Sequence, residues 1–251
     1  MKYSAKQEEE LMTEVWSLNI KDSPLNFVRY IFPWNQEGTP LEDFSGPREW
    51  QEKFLREIEN HVLRNQKAEN PEMFRYALAS GRGIGKSALV AWIILWMLST
   101  RLGSTVIVTA NTEQQLRSRT WAELGKWLTL AINGHWFMKT ATSLKPQAWF
   151  EELLIRDLQI DTGYYYAQSQ LWSLENPDAF AGIHSNHGVC LLMDEASGIP
   201  APIYSVSEGF FTEPTESRFW FAFSNPRRNS GPFYDSFHSK RNFWQSNQID
   251  S

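Results

Sequence analysis

Hydrophobic positions recur with helical spacing through the first 70 residues of the chain and then change to short continuous apolar runs. The helical pattern covers residues 5–18, which are acidic and amphipathic, followed by residues 25–32 and 47–63. Pro47 suits the first turn of the third helix, because its missing N–H has no partner to lose there. We therefore predict a region of helices before the first core strand.

After residue 70 the apolar residues form short continuous runs in which apolar and polar positions do not alternate, as expected for strands that are buried on both faces of a sheet. Four runs of this kind predict strands at 74–79, 104–110, 189–193 and 218–223. Two helical patterns, at 87–99 and 112–130, lie between them, and the alternation predicts a mainly parallel α/β sheet. Between residues 149 and 171 we expect shorter antiparallel strands, notably 163–168.

Composition narrows the class of protein. The 251 residues are 42% hydrophobic and 21% charged, enough for a packed core, which excludes a disordered or fibrous chain. The single cysteine, Cys190, excludes an intramolecular disulfide and a cysteine-based zinc site. The longest apolar run, 88–98, is shorter than the roughly 20 residues a bilayer requires, and the N-terminus lacks the apolar stretch of a signal peptide. We expect a soluble intracellular protein without a membrane partner.

Charge is divided unevenly along the chain. The net charge of −5 would by itself argue against nucleic acid as a partner, because phosphate contacts require Lys and Arg. Residues 71–145, however, carry nine basic and three acidic side chains, whereas residues 146–216 carry one and eleven. Solvated faces alone could produce this division, and so could a site that draws one sign of charge from each block.

A glycine-rich segment, SGRGIGKS, lies between a predicted strand and a predicted helix. A phosphate-binding loop needs backbone N–H groups close to the anion, a helix N-terminus, a lysine for the β- and γ-phosphates and a hydroxyl for Mg²⁺. The segment supplies these parts in order, with serine where the motif usually begins with glycine. The alternative is a tight strand-to-helix turn. The candidate nucleotide-binding residues are Ser80, Gly81, Arg82, Gly83, Ile84, Gly85, Lys86 and Ser87.

Two adjacent acids, Asp194 and Glu195, follow the apolar run VCLLM. Ligands of open α/β sheets bind at the carboxyl ends of the strands, where these acids are expected. We assign Asp194 to Mg²⁺ and Glu195 to the attacking water, because nucleotide hydrolysis requires a metal carboxylate and a group that orients water. Taken alone, the pattern also fits a strand that meets solvent.

Two further segments offer polar side chains near this predicted edge. Ser224 and Asn225 end the apolar run FAFSNP and could sense the γ-phosphate or the attacking water, although a strand before an Asn-Pro turn has the same pattern. Gln51, near the start of a predicted helix, could pair with the edge of an adenine, although an isolated glutamine on a helix is usually solvated.

The order WQ, SGRGIGKS, VIVTANTEQQ, LLMDEASG and FAFSNP resembles the ATPase domain of the large terminase subunit, which packages DNA into the heads of tailed bacteriophages. The resemblance extends from about residue 44 to residue 226. It implies a P-loop NTPase of RecA-like (ASCE) α/β fold with ATP and Mg²⁺ as cofactors. It also implies one role for each matching position: Gln51 for adenine, Lys86 and Ser87 for phosphate and Mg²⁺, Arg82 for the γ-phosphate, Asp194 for the metal, Glu195 for catalysis, and Ser224 with Asn225 for coupling.

The resemblance also implies partners and a domain plan. The partners are duplex viral DNA, portal protein and small terminase. The chain would form a homo-oligomeric ring on the procapsid and a monomer in isolation, in the host cytoplasm and not in the mature virion. We expect an N-terminal helical segment at 1–46, the ATPase domain at 47–230 and the start of a linker to a nuclease domain at 231–251. Nuclease activity is not expected here, because this last segment has only Asp235 and Asp250 as acids, too few for a two-metal site.

Two other functions share parts of this pattern. A helicase-like translocase uses the same motifs, and a nucleotide-switched binding module would use the loop without turnover. Adjacent acids favour turnover, because a switch does not need the second one. A neighbouring subunit could also supply an arginine in trans, for which Arg101, Arg117 and Arg119 are candidates. We expect Trp92 and Trp96, spaced by four residues, to lie in the core.

Overall fold

Four helices precede the first strand in the computed structural model, which describes residues 3–180 and 185–249. They confirm the helical region that the sequence predicts: α1 (Ala5–Val15), α2 (Leu18–Lys21), α3 (Pro24–Ile31) and α4 (Glu49–Asn65). The placement of Pro47 was wrong, because Arg48 is the N-cap of α4 and Pro47 precedes it.

The centre of the molecule is one sheet of eight strands in the order β3-β4-β5-β2-β6-β7-β1-β8. All four predicted core strands are present. The strands are β1 (Phe74–Ser80), β2 (Thr105–Thr109), β3 (Phe137–Lys139), β4 (Ser143–Pro146), β5 (Tyr166–Ser169), β6 (Val189–Asp194), β7 (Arg218–Ser224) and β8 (Gln245–Ile249).

Six neighbouring strands, from β5 to β8 in the sheet order, are parallel, which confirms the predicted mainly parallel α/β sheet. Strand β7 lies between β1 and β6, and its register aligns the ends of all three. Ser224 pairs with Ala79 next to the end of β1, and Phe223 pairs with Asp194 at the end of β6. The glycine-rich loop, the acid pair and the FAFSNP segment therefore meet at one edge.

The helices between the strands follow the predicted pattern with one irregularity. Helix α5 (Lys86–Thr100) follows β1, and the predicted helix 112–130 is one helical run that contains a π-helical turn. This run consists of α6 (Glu113–Gln115), the π-helical turn (Leu116–Trp121) and α7 (Ala122–Leu130). Within the described ranges, no helix combines the length and the hydrophobicity needed to cross a membrane.

The region 149–171 differs from the prediction. Residues Ala148–Leu158 form helix α8, with Phe150 and Leu154 buried four positions apart on one face. Of the expected strands only β5 is present there; it pairs parallel with β2 and antiparallel with β4. The run of apolar residues in α8 is too short for its period to separate helix from strand, which explains the error.

The C-terminal segment adds to the sheet. Helix α10 (Pro232–Asp235) and strand β8 come from the residues for which we expected a linker, and β8 pairs parallel with β1. Phe233 and Trp244 are buried against one face of the sheet. The packed structure therefore extends at least to Ile249; Asp250 lies outside the described residues.

Helices cover both faces of the sheet. On one face, α5 packs with α3 and α7, and its Trp92 and Trp96 are buried as predicted. The N-terminal helices bury Val15 and Phe27 in this same core, so residues 3–46 pack with the sheet rather than apart from it. The opposite face is covered by α9 (Ala201–Ser207) and its neighbours.

Candidate nucleotide-binding site

The loop after β1 has the backbone that a phosphate-binding loop requires. Gly83 and Gly85 have φ values of 76° and 95°, in the left-handed region that favours glycine. Gly85 is the N-cap of α5, so the helix begins at Lys86. A Cβ atom added to Gly85 would stand 3.0 Å from Nε2 of Gln51. The first N–H groups of α5 have no partner within the helix, and they lie where an anion would bind.

The Lys86 side chain lies against its own loop. Its Nζ donates to Oγ of Ser80 at 2.9 Å and to the carbonyl oxygen of Gly81 at 2.6 Å. Serine in place of the usual glycine thus provides an oxygen that holds the lysine. Burial lowers the pKa of Lys86, and the charges of Glu195 and Asp194 oppose that shift. These acids therefore help to keep the lysine charged.

Asp194 is held in place by two hydrogen bonds. Its Oδ2 accepts from Oγ1 of Thr120 at 2.7 Å, and its Oδ1 accepts from the backbone N–H of Glu195 at 3.0 Å. Burial raises the pKa of Asp194, while the bond from Thr120 lowers it. Within the described ranges, the hydroxyl of Ser87 has no hydrogen-bond partner. A fixed carboxylate and a free hydroxyl are oxygen ligands that fit Mg²⁺.

Glu195 has an unusual backbone. Its φ of 53° is in the left-handed region, which is rare for a residue other than glycine, asparagine or aspartate. The side chain of Asn111 donates from Nδ2 to the Glu195 carbonyl oxygen at 2.9 Å and so supports this conformation. Gly198 permits the approach of Asn111, since a Cβ atom there would stand 2.2 Å from its Nδ2. The turn therefore holds Glu195 in a strained backbone conformation on the wall of the cavity that the loop also lines.

Ser224 connects the end of β7 to this turn. Its hydroxyl accepts from the backbone N–H of Ser197 at 3.1 Å and donates to Oγ of Ser197 at 2.8 Å. The Ser197 hydroxyl in turn donates to the carbonyl oxygen of Asn225 at 3.1 Å. Both predicted coupling residues are thus bonded to a residue two positions after Glu195.

Three consecutive loop carbonyls accept hydrogen bonds from side chains at the start of α4. Arg48 reaches Gly83 at 3.5 Å, Trp50 reaches Ile84 at 3.2 Å and Gln51 reaches Gly85 at 3.0 Å.

The amide of Gln51 is occupied at both ends, because its Oε1 also accepts from the backbone N–H of Arg48 at 2.9 Å. Its side chain is buried, and it does not line the cavity beside the loop. Contact between Gln51 and adenine stays a prediction, and the structure places this residue on the loop backbone.

A cavity of about 450 Å³ lies between the loop and the acid pair. It brings together side chains from the basic and the acidic block of the sequence, which accounts for part of the uneven division of charge. The lining side chains that carry charge are Arg82, Lys86, Arg119, Glu123, Asp194 and Glu195.

Of the three lining residues on the helical run 113–130, Gln115 and Glu123 were missed from the sequence, and Arg119 was considered only for a role in trans. They follow each other at intervals of four in the helical run 113–130, so they share one face. The predicted helix carried this signal, but the sequence could not show that this face meets the loop.

The other two arginines considered for a role in trans have partners of their own. Arg101 is buried, with its guanidinium 3.6 Å from Asp22 and stacked over the ring of Trp96. Arg117 is paired with Glu113 at 2.9 Å. Both side chains are therefore engaged within the chain.

A second cavity, of about 470 Å³, lies on the opposite face of the sheet. Trp220 and Trp244 line it, and its Arg75 and Glu208 form an ion pair with each other at 2.5 Å. It contains neither the glycine-rich loop nor the acid pair, so the candidate site is the first cavity.

Comparison with known proteins agrees with the motifs. No protein-family model matches the chain. A probable terminase large subunit of Enterobacteria phage P7 is 28% identical over 170 residues, which is 64% of this chain and 31% of that protein. The chain therefore spans about a third of the length of this curated relative.

Solved structures match the fold. The large terminase of bacteriophage HK97 has a TM-score of 0.56 and 14% identity, over 91% of this chain and 43% of that one. The large terminase of a thermophilic bacteriophage, solved in complex with ADP, has a TM-score of 0.50 and 13% identity, over 90% of this chain and 44% of that one. The chain thus resembles a phage terminase large subunit in sequence and has the α/β fold of phage large terminases.

Proposed function

We propose that this chain is the ATP-hydrolysing motor domain of a phage terminase large subunit, which couples hydrolysis to the movement of duplex viral DNA into a procapsid. One observation carries the proposal. The acid pair that ends β6 and the glycine-rich loop that follows β1 face each other across a cavity, and β7, the strand that lies between them, ends in Ser224. This is the arrangement that phosphoryl transfer to water requires.

The side chains around the cavity divide the work of hydrolysis. Lys86 and Arg82 offset the negative charge of the phosphates, and Ser87 with Asp194 would hold Mg²⁺. When bound there, Mg²⁺ would act as a Lewis acid that stabilises the negative charge developing on the transferred phosphate. Glu195 orients the attacking water and accepts its proton, for which its side chain on the cavity wall is suited.

Coupling would pass through the hydrogen bonds of Ser224. A change at Glu195 when the terminal phosphate leaves would reach Ser197 within the same turn, and Ser197 is bonded to both Ser224 and Asn225. The segment after Asn225 would then move relative to the sheet. This series of hydrogen bonds would connect the site to the segment after Asn225 without a further element.

The partners follow from the proposed function. They are duplex DNA, portal protein, small terminase and further copies of this chain in a ring on the procapsid, in the host cytoplasm. The similarity to a terminase large subunit supports them. Cleavage of DNA is not assigned to these residues.

Steady-state hydrolysis of ATP tests the catalytic assignment. Glu195→Gln should lower kcat by about 10²- to 10⁴-fold and leave ATP binding intact, because a general base is lost and the charged loop is kept. Lys86→Ala should lose affinity for ATP. The exposed Glu175→Gln is the matched control and should hydrolyse ATP at the wild-type rate. Hydrolysis by Glu195→Gln at that rate would refute the role of Glu195.

Addition of duplex DNA, portal protein and small terminase tests the motor. We expect ATP hydrolysis to rise when these partners are present together. Separation of the two DNA strands during hydrolysis would support a helicase-like translocase instead. Nucleotide binding without turnover under any of these conditions would support a nucleotide-switched binding module.

A further inference from the structure

Arg119 is a charged residue of the candidate site to which neither the motifs nor the resemblance assigns a role in its own chain. We propose that Arg119 contacts the terminal phosphate of a nucleotide bound to the same chain, and that the π-helical turn in which it lies responds to the presence of that phosphate. The proposal rests on the proposed function and adds a cationic contact to it.

Arg119 lines the same cavity as the loop. Gln115 and Glu123, from the same helical run, also line it, together with Lys86, Ser87 and the acid pair. Ser87 and Asp194 mark the end of the cavity where the metal and the outer phosphates would lie. An arginine that lines the same cavity can donate two parallel hydrogen bonds to a phosphate, which lysine cannot do.

Within the part of the chain that the structure describes, the guanidinium of Arg119 has no ion pair and no hydrogen bond. The acid on the same helical face is already engaged, because Glu123 accepts from Nε1 of Trp127 at 2.8 Å and lies 3.6 Å from Nζ of Lys126. Arg117, two residues earlier, is paired with Glu113. Of these two neighbouring arginines, Arg119 is the one that an anionic ligand could engage.

The backbone at Arg119 is also unusual. The turn Leu116–Trp121 is π-helical, whereas α6 and α7 on either side are α-helical. Such turns are rare and occur frequently at functional sites. The next residue, Thr120, holds the carboxylate of Asp194 at 2.7 Å. Of two consecutive residues in one turn, Arg119 therefore lines the cavity and Thr120 bonds the proposed metal carboxylate.

This geometry predicts a response to the terminal phosphate. With that phosphate present, its charge holds Arg119 against the cavity; once it leaves, Arg119 is released and the turn can change its conformation. The change would reach Asp194 through Thr120 and would reach α5 through its packing with α7. The element that binds the phosphate thus also positions the metal carboxylate.

Binding of two nucleotides to the full chain tests the proposal. Arg119→Ala should weaken binding of a slowly hydrolysed ATP analogue by about 10- to 100-fold, the range expected for a lost hydrogen bond to a charged group, and should change ADP binding less than about 2-fold. Arg119→Lys should recover part of the loss. Arg117→Ala, on the same helical run but paired with Glu113, is the matched control and should leave both affinities unchanged.

A mixing experiment separates action within the chain from action on a neighbour. Arg119→Ala is mixed with Glu195→Gln, and ATP hydrolysis is measured with duplex DNA and portal protein present. If Arg119 acts in trans, mixed assemblies regain hydrolysis, because an intact Arg119 then faces an intact Glu195. Recovery would therefore overturn the proposal, and the absence of recovery supports it.

Failure of the proposal differs from failure of the proposed function. If the wild-type chain binds neither nucleotide, the proposed function is wrong. If the wild-type chain binds and hydrolyses ATP, and Arg119→Ala retains the wild-type ratio of affinities for the analogue and ADP, only the role of Arg119 is wrong.

Discussion

At the scale of single residues, the site depends on side chains that hold other side chains. Ser80 holds Lys86, Asn111 supports the backbone of Glu195, and Thr120 orients Asp194. Such partners rarely belong to a motif, because any residue of the right size and chemistry can supply the bond from a distant part of the chain. For a partner that orients a metal ligand, as Thr120 would, loss of the bond typically lowers metal affinity by about 10- to 100-fold.

Thr120→Val tests this dependence, since valine keeps the shape of threonine and removes its hydroxyl. The carboxylate of Asp194 would lose the bond to Oδ2 and its fixed orientation. We expect the Mg²⁺ concentration for half-maximal ATP hydrolysis to rise by about 10- to 100-fold. Thr129→Val, on the exposed side of α7, is the control and should need the wild-type concentration. An unchanged requirement in Thr120→Val would show that Thr120 does not orient the metal carboxylate.

At the scale of elements, the start of α4 supports the glycine-rich loop. The side chains of Trp50 and Gln51 donate to two adjacent carbonyls of a loop whose glycines are conformationally free by themselves. These bonds restrict the loop before any ligand arrives, which lowers the entropy lost on binding. Through these bonds, Gln51 could affect binding of the phosphates whichever base the nucleotide carries.

Gln51→Ala distinguishes these two possibilities. If Gln51 orders the loop, the substitution should weaken binding of ATP and GTP to a similar degree, by about 5- to 10-fold for the loss of one buried hydrogen bond. If Gln51 recognises adenine, only ATP should lose affinity. Gln66→Ala, at the exposed C-terminal end of the same helix, is the control for both nucleotides. Equilibrium titration with each nucleotide measures the outcome.

The elements also show which structural features the sequence pattern predicts and which it does not. The four core strands coincide with four short, mainly apolar runs, so the sequence predicts them correctly. The π-helical turn has the same apolar spacing as an α-helix, because Leu116 and Thr120 keep one face buried throughout. The wider turn of a π-helix therefore cannot be recognised from the pattern of hydrophobic positions.

At the scale of the whole molecule, the N-terminal helices and the sheet share one core. Glu8 in α1 is buried and accepts hydrogen bonds from Nε1 of Trp136 and from Nε2 of His135, the latter at 2.8 Å. Trp16, just after α1, donates to the carbonyl oxygen of Ser99 in α5 at 3.0 Å. The boundary at residue 46 is thus a change of sequence pattern across a continuous packed structure.

Glu8→Ala should therefore destabilise the whole molecule. It leaves the buried indole N–H of Trp136 without its acceptor, which costs about 1 to 3 kcal/mol of the free energy of unfolding. Urea denaturation with a global probe of folding measures the change. Glu9→Ala, the exposed neighbour on the same helix, should remain within about 0.5 kcal/mol of wild type. A separate early transition for the N-terminal helices in wild-type protein would contradict a shared core.

The sequence by itself determined the local chemistry: a glycine-rich loop between strand and helix, two acids after an apolar run, and the order of the four core strands along the chain. Each of these features depends on residues that are close together in the sequence, so the sequence pattern predicts it. Only the tertiary structure decided that Arg119 and Thr120 meet the site, that Gln51 binds the loop, and that residues 245–249 add a strand beside β1. These contacts depend on how helices cross the sheet, and a surface position on a helix has the same sequence pattern whichever element it faces.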